Sequence, residues 1–82
     1  MELTIITPDE TLFQGEAKLV QLPGSDGSFE LLDRHAPIIS TLSTGNIRVL
    51  TSGGETMELP VKTGVVEMSG NKVSILAEKQ DA

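Results

Sequence analysis

The sequence predicts an all-β fold, a flattened sandwich or barrel of short antiparallel strands, and three observations predict it. Apolar and polar residues alternate with a period of two in successive runs, the pattern of a half-buried strand. Eight threonines and many β-branched aliphatics suit a pleated surface. Turn dipeptides interrupt the runs at short intervals, leaving room for roughly six to ten strands joined by tight turns.

Taken in order, Thr7-Pro8-Asp9-Glu10 has a helix-capping residue, a proline at the first helical position and an acid three residues after the cap. No apolar stripe of period 3.6 follows and Gly15 comes within two turns, so the segment is read as a turn. Val20-Gln21-Leu22 and Phe29-Glu30-Leu31 are strands around Pro23-Gly24 and Asp26-Gly27. His35-Ala36-Pro37 is an irregular loop, since the residue before proline is pushed out of the helical region. Asn46-Ile47-Arg48-Val49 follows the turn Thr44-Gly45-Asn46, and Met57-Glu58-Leu59-Pro60-Val61 follows Ser52-Gly53-Gly54. After Ser69-Gly70-Asn71, Val73-Ser74-Ile75 continues to Ala77 on the same face. Gly45-Asn46 and Gly70-Asn71 open similar runs and are read as two similar hairpins. The sandwich is expected to occupy residues 1–77, with 78–82 a polar, fraying tail. The predicted core is Val20, Leu22, Phe29, Leu31, Ile47, Val49, Leu59, Val73 and Ile75.

Eighty-two residues allow one small domain. The 22 leucines, isoleucines and valines supply one apolar layer, with no Trp or Tyr. A net charge of −6 has the wrong sign for a duplex-binding surface or an anionic membrane. The absence of cysteine removes disulfides, thiolate metal sites and thiol nucleophiles. No apolar run approaches the roughly 20 residues of a membrane span. A soluble cytoplasmic domain is the expectation. With one histidine, no nucleophile elbow, no phosphate loop and no clustered metal ligands, catalysis is not expected, and neither a cofactor nor a metal is implied.

Two loops remain as candidate contact sites. The segment from Leu22 to Ser28 either just builds a turn or presents Asp26 on a low acidic tip to a basic partner. His35 is either a plain loop imidazole or a contact residue after Asp33-Arg34.

Ile6-Thr7-Pro8, Phe13-Gln14-Gly15 and Leu22-Pro23-Gly24-Ser25-Asp26-Gly27 stand in order, followed by Leu31-Leu32-Asp33-Arg34-His35-Ala36-Pro37, Leu42 and Gly45. Gly64-Val65-Val66-Glu67-Met68 and Asn71-Lys72-Val73-Ser74-Ile75-Leu76-Ala77 complete the series, which resembles the N-terminal domain of the epsilon subunits of F-type ATP synthases over nearly the whole chain. The resemblance implies a non-catalytic β-sandwich, monomeric in isolation, at the foot of the central stalk. It would join the gamma subunit to the membrane ring of c subunits on the cytoplasmic face of a bacterial inner membrane, without inserting in it. It also implies a ring-facing set of Ser25, Asp26, Gly27, Ser28 and His35, with Asp33 and Arg34, and a gamma-facing set of Thr7 and Asn46. Many family members add two C-terminal helices that inhibit ATP hydrolysis and sometimes bind ATP. The residues here end soon after the last strand, so neither ATP binding nor inhibition is expected of them. Glu30 stands where the family usually has glycine, adding an outward negative charge and leaving the local backbone open to question.

An alternative from another class is a biotinyl or lipoyl carrier domain, also small, acidic and all-β. Lys72 beside Gly70-Asn71 would be its attachment site, although the flanking Asn71 and Val73 are not the usual carrier setting.

Overall fold

Period-two patterning becomes seven strands in the computed structural model, which describes residues 1–80; no helix forms among them. The strands are β1 (Glu2–Ile6), β2 (Thr11–Gly24), β3 (Gly27–Leu32), β4 (Ile38–Leu42), β5 (Gly45–Thr51), β6 (Thr56–Ser69) and β7 (Lys72–Lys79). The all-β expectation holds, with two differences. The pairing of β1 with β7 is parallel, Leu3 lying beside Val73 and Ile5 beside Ile75. And β2 and β6 are not short, at 14 residues each.

Each long strand changes partners along its length. β2 pairs first with β1, then with β3 and β5. β6 pairs with β5 in its first half and with β4 and most of β7 in its second. The register slips between Ala17 and Leu19 and between Val61 and Thr63, at the exposed Lys18 and Lys62. A bulge bends its strand and increases the local twist. Bent at these points, one hydrogen-bonded sheet doubles over into two layers. The shortest dimension is 19 Å, against 32 and 26 Å for the others, as two layers about 10 Å apart with their outer side chains require. Near the second bulge β6 and β7 come so close that a Cβ on Gly64 would lie 2.7 Å from the carbonyl oxygen of Leu76.

The core fills the space between the layers. Val20, Leu22, Leu31, Ile47, Val49, Val73 and Ile75 are buried as predicted, while Phe29 and Leu59 are half-buried and pack against them. Leu3 and Ile5 from β1, with Val61, Val66 and Met68 from β6, complete it. Among the described residues no polar or charged side chain is buried.

The turns sort the dipeptide signals. Gly70 and Asn71, at φ 59° and 61°, close a two-residue loop between the paired Ser69 and Lys72, the left-handed geometry of a type I′ hairpin. Gly45-Asn46 is not a second such hairpin. It lies inside β5, opposite Val61 and Pro60, and glycine is needed there because a Cβ would meet the Pro23 ring carbon at 2.7 Å. Pro23-Gly24 likewise lies within β2, and the turn is Ser25-Asp26. Thr7 does cap a turn rather than a helix: its hydroxyl oxygen accepts from the backbone N–H of Asp9 and Glu10 at 3.3 and 3.1 Å. The last strand reaches Lys79, two residues past the expected boundary at 77. The side-chain amide of Gln80 donates to the carbonyls of Gly45 and Val61. Of the expected fraying tail, Asp81 and Ala82 lie outside the described residues.

Candidate partner-binding surfaces

Alternation decides which side chains face a partner. Along β3, Ser28, Glu30 and Leu32 point outward while Leu31 points in. Glu30 sits in an ordinary ladder position opposite Gln21, so this residue imposes no unusual backbone. Gln21 also pairs with Arg48, and Arg48 with Glu58, so Glu30 begins a polar row across the outer face of one layer.

The ring-facing candidates fall at two places. Ser25 and Asp26 form the exposed tip of the β2–β3 hairpin, with Gly27 at φ 125° and Ser28 beside it. The tip is tied to β4: the Ser25 N–H donates to the Thr41 carbonyl at 3.1 Å, and the two hydroxyls lie 2.8 Å apart. The Ser28 hydroxyl donates back to the Leu22 carbonyl. Asp33, Arg34 and His35 stand at the other end of β3. Four residues, Phe29 to Leu32, separate the clusters, roughly 17 Å from Ser28 to Asp33 at about 3.3 Å per residue. A partner that touches both must run the length of β3.

The loop after β3 is fixed more tightly than its exposure suggests. The Met1 amine donates to Asp33 Oδ1 at 2.7 Å, and Asn71 Nδ2 donates to the same oxygen at 2.9 Å. These two bonds, the amine's first, hold the Asp33 carboxyl below its ordinary pKa; Asp33 in turn raises that of the amine. Asn71 Oδ1 accepts the backbone N–H of Arg34 at 2.7 Å. Arg34 is left-handed, at φ 63°, a conformation that costs an ordinary side chain about 1–2 kcal/mol. The His35 N–H closes the turn onto the Leu32 carbonyl at 3.0 Å, and its exposed ring places Nδ1 2.7 Å from the Ala36 carbonyl.

The gamma-facing candidates are not brought together. Thr7 follows β1, while Asn46 projects from β5, a strand that pairs with β2 and β6 but not with β1. Lys72 is not at a turn tip. It is already in β7, opposite Ser69 and beside Glu2, whereas a carrier lysine needs the free tip that Gly70 and Asn71 occupy.

An apolar surface lies outside both candidate sets. Ile6 lies beside Leu76 and Leu76 beside Val65, a row across β1, β7 and β6 on the outside of the other layer. These side chains are 38%, 48% and 38% exposed, and Ile39, one position diagonal on β4, is 72% exposed. Each belongs to an apolar doublet: Ile5-Ile6, Ile38-Ile39, Val65-Val66 and Ile75-Leu76. In a strand of period two, one member of a doublet must face out, so the signal was present in the sequence.

Residues 1–80 match the family described as the ATP synthase delta/epsilon chain, beta-sandwich domain. Three curated relatives are ATP synthase epsilon chains. That of Chlorobium limicola is 36% identical over 94% of this chain and 88% of its own length. Those of Campylobacter lari and Brevibacillus brevis are 41% and 32% identical over 95% of this chain. The chain spans about three-fifths of those two relatives, 60% and 59%. Among solved structures, a chain of the Euglena gracilis mitochondrial ATP synthase superposes with a TM-score of 0.85 at 21% identity, over 92% of this chain and 48% of that one. One from the central stalk and c-ring of the Tetrahymena thermophila enzyme gives 0.81 at 16%, over 96% and 63%. At those identities the likeness is one of fold.

Proposed function

This chain belongs to the ATP synthase delta/epsilon family of β-sandwich domains, and from that membership we propose that it is a non-catalytic rotor subunit of an F-type ATP synthase. In this reading it joins a gamma-type stalk subunit to the c-ring and transmits torque between proton flow and ATP synthesis. Its place is the cytoplasmic face of a bacterial inner membrane, peripheral to the bilayer. The observation that carries the reading is the family match over residues 1–80, a span that contains every strand.

The surfaces suit the task. A torque link has to resist shear, and a close-packed interior between cross-bonded layers does so. It also needs two separate contacts. The apolar row Ile6–Leu76–Val65 offers burial to a stalk partner, and Thr7 follows Ile6 just past the end of β1. Asn46 remains a candidate for a second gamma contact, on the other layer. The polar tip Ser25–Ser28 and the loop Asp33–His35 offer hydrogen bonds and charge to the polar loops of a ring.

The test is reconstitution. Gamma, the c-ring and the catalytic head are assembled with and without this chain, and ATP-driven proton pumping is measured in vesicles. The expected result is co-purification of the chain with gamma and the ring, and pumping that depends on its presence. Pumping that is equal with and without the chain overturns the proposal.

A further inference from the structure

Asn71 makes more long-range bonds than its place in a two-residue turn requires. Its carbonyl accepts the Glu2 N–H at 3.1 Å, its Nδ2 donates to Asp33 Oδ1 at 2.9 Å, and its Oδ1 accepts the Arg34 N–H at 2.7 Å. The two side-chain bonds fix the orientation of the amide, since a flipped group would set donor against donor. Among the described residues, Arg34 and Asn71 are the two non-glycine residues with positive φ, at 63° and 61°, and they are bonded to each other. Asparagine tolerates this conformation because its short polar side chain bonds locally, but arginine does not favour it. A residue held in a disfavoured conformation needs something outside its own segment to hold it there. The backbone of the turn would be satisfied by Gly70-Asn71 alone; the carboxamide is spent on the loop 37 residues away in sequence.

We infer that Asn71 is a positioning residue for the Asp33–His35 loop: its carboxamide holds Arg34 left-handed and thereby sets how His35 and the Arg34 side chain are presented to a partner. The inference rests on the ring-facing reading of that loop given above. It adds a residue outside the loop, on the β6–β7 turn, whose side chain governs the contact without being the contact.

Two variants separate the side chain from the turn. Asn71→Gly keeps a residue at home in the left-handed region and removes only the carboxamide. The exchanged pair, Asp33→Asn with Asn71→Asp, keeps one amide donor and one carboxylate acceptor between the two positions and again offers an oxygen to the Arg34 N–H. The readouts are amide hydrogen exchange at Arg34, followed by nuclear magnetic resonance, and ATP-driven proton pumping in the reassembled complex. Exchange at Val73 and Ile75 reports whether the sandwich is intact. Asn71→Gly is expected to speed exchange at Arg34 about tenfold with Val73 and Ile75 still protected. Pumping should fall severalfold, and the exchanged pair should restore slow exchange at Arg34. Unchanged exchange at Arg34 in Asn71→Gly overturns the positioning role. So does an exchanged pair in which exchange at Arg34 stays as fast as in Asn71→Gly. Faster exchange at Arg34 with full pumping overturns the ring-facing reading of this loop, and the functional part of the inference falls with it.

Discussion

The carboxyl of Asp33 gives the fold a pH dependence whose sign follows from its partners. Its pKa in the folded chain lies below the ordinary value because the Met1 amine and Asn71 donate to it. A carboxyl depressed in this way adds stability above its unfolded pKa, about 3.9, and loses it as pH falls from there through the lower folded value. Urea midpoints of the parent and Asp33→Asn should therefore differ at pH 7 and converge on acidification below pH ~4. A gap of constant size down to pH 2 would show that the charge of Asp33 contributes nothing. Arg34 makes a second prediction at this scale. Arg34→Gly relieves the left-handed strain but frees the unfolded chain, so stability should be unchanged or up to about 1 kcal/mol higher. Arg34→Val, β-branched, should lower it by more than 1 kcal/mol in the same denaturation assay. The sequence announced the Gly70-Asn71 turn because that signal is local. It could not announce that Asn71 reaches Asp33 and Arg34, because nothing in the residues between records which loops the topology brings side by side.

Along one strand the alternation can be tested directly. Ile75 is buried in β7 and its neighbour Leu76 is 48% exposed on the outer face. Ile75→Ala leaves a cavity between the layers and should cost about 2–5 kcal/mol, a large share of a small domain's stability. Leu76→Ala removes apolar surface that is already half in water and should cost less than about 1 kcal/mol in the isolated chain. Denaturation midpoints that ranked the two the other way would put the strand one residue out of register. Period-two patterning made β3, β5 and β7 legible because each has one dry face and one wet one. The two long strands are harder to read: Pro23-Gly24 in β2 carries the composition of a break while the ladder runs on through it, and in β6 the alternating run through Pro60 stops at Val61 although the strand continues to Ser69. The parallel pairing of β1 with β7 joins the first strand to the last, and no turn signal marks it. The apolar row hid in the doublets, where attention to the inward residue leaves its outward neighbour unassigned.

For the molecule as a whole, the question is whether the acidic tip faces a basic partner. Asp26 stands at the tip of the β2–β3 hairpin and Glu30 on the outer face of β3; both are exposed, and neither has an ion-pair partner among the described residues. A chain of net charge −6 that leaves both uncompensated presents negative potential along this edge. Such charges mainly set association rate and salt sensitivity, while a charge desolvated against a partner can be worth about 2–5 kcal/mol when its counterpart is lost. Asp26→Lys with Glu30→Lys should therefore weaken pumping in the reassembled complex, and more so at low salt. The free chain should keep its circular dichroism, because neither side chain enters the core. The single variants divide the effect. Asp26 shares the tip with Ser25, which is anchored to Thr41, so its side chain leaves from a fixed point. Glu30 lies about 13 Å farther along the strand. A partner seated only on the tip makes Asp26→Lys account for nearly the whole loss, whereas one lying along β3 toward His35 makes the two singles comparable. In the second case His35→Ala should also weaken pumping, by less than the double lysine variant. Full pumping by the double variant at low salt would remove the β2–β3 tip from the ring contact and leave the Asp33–His35 loop to be tested alone.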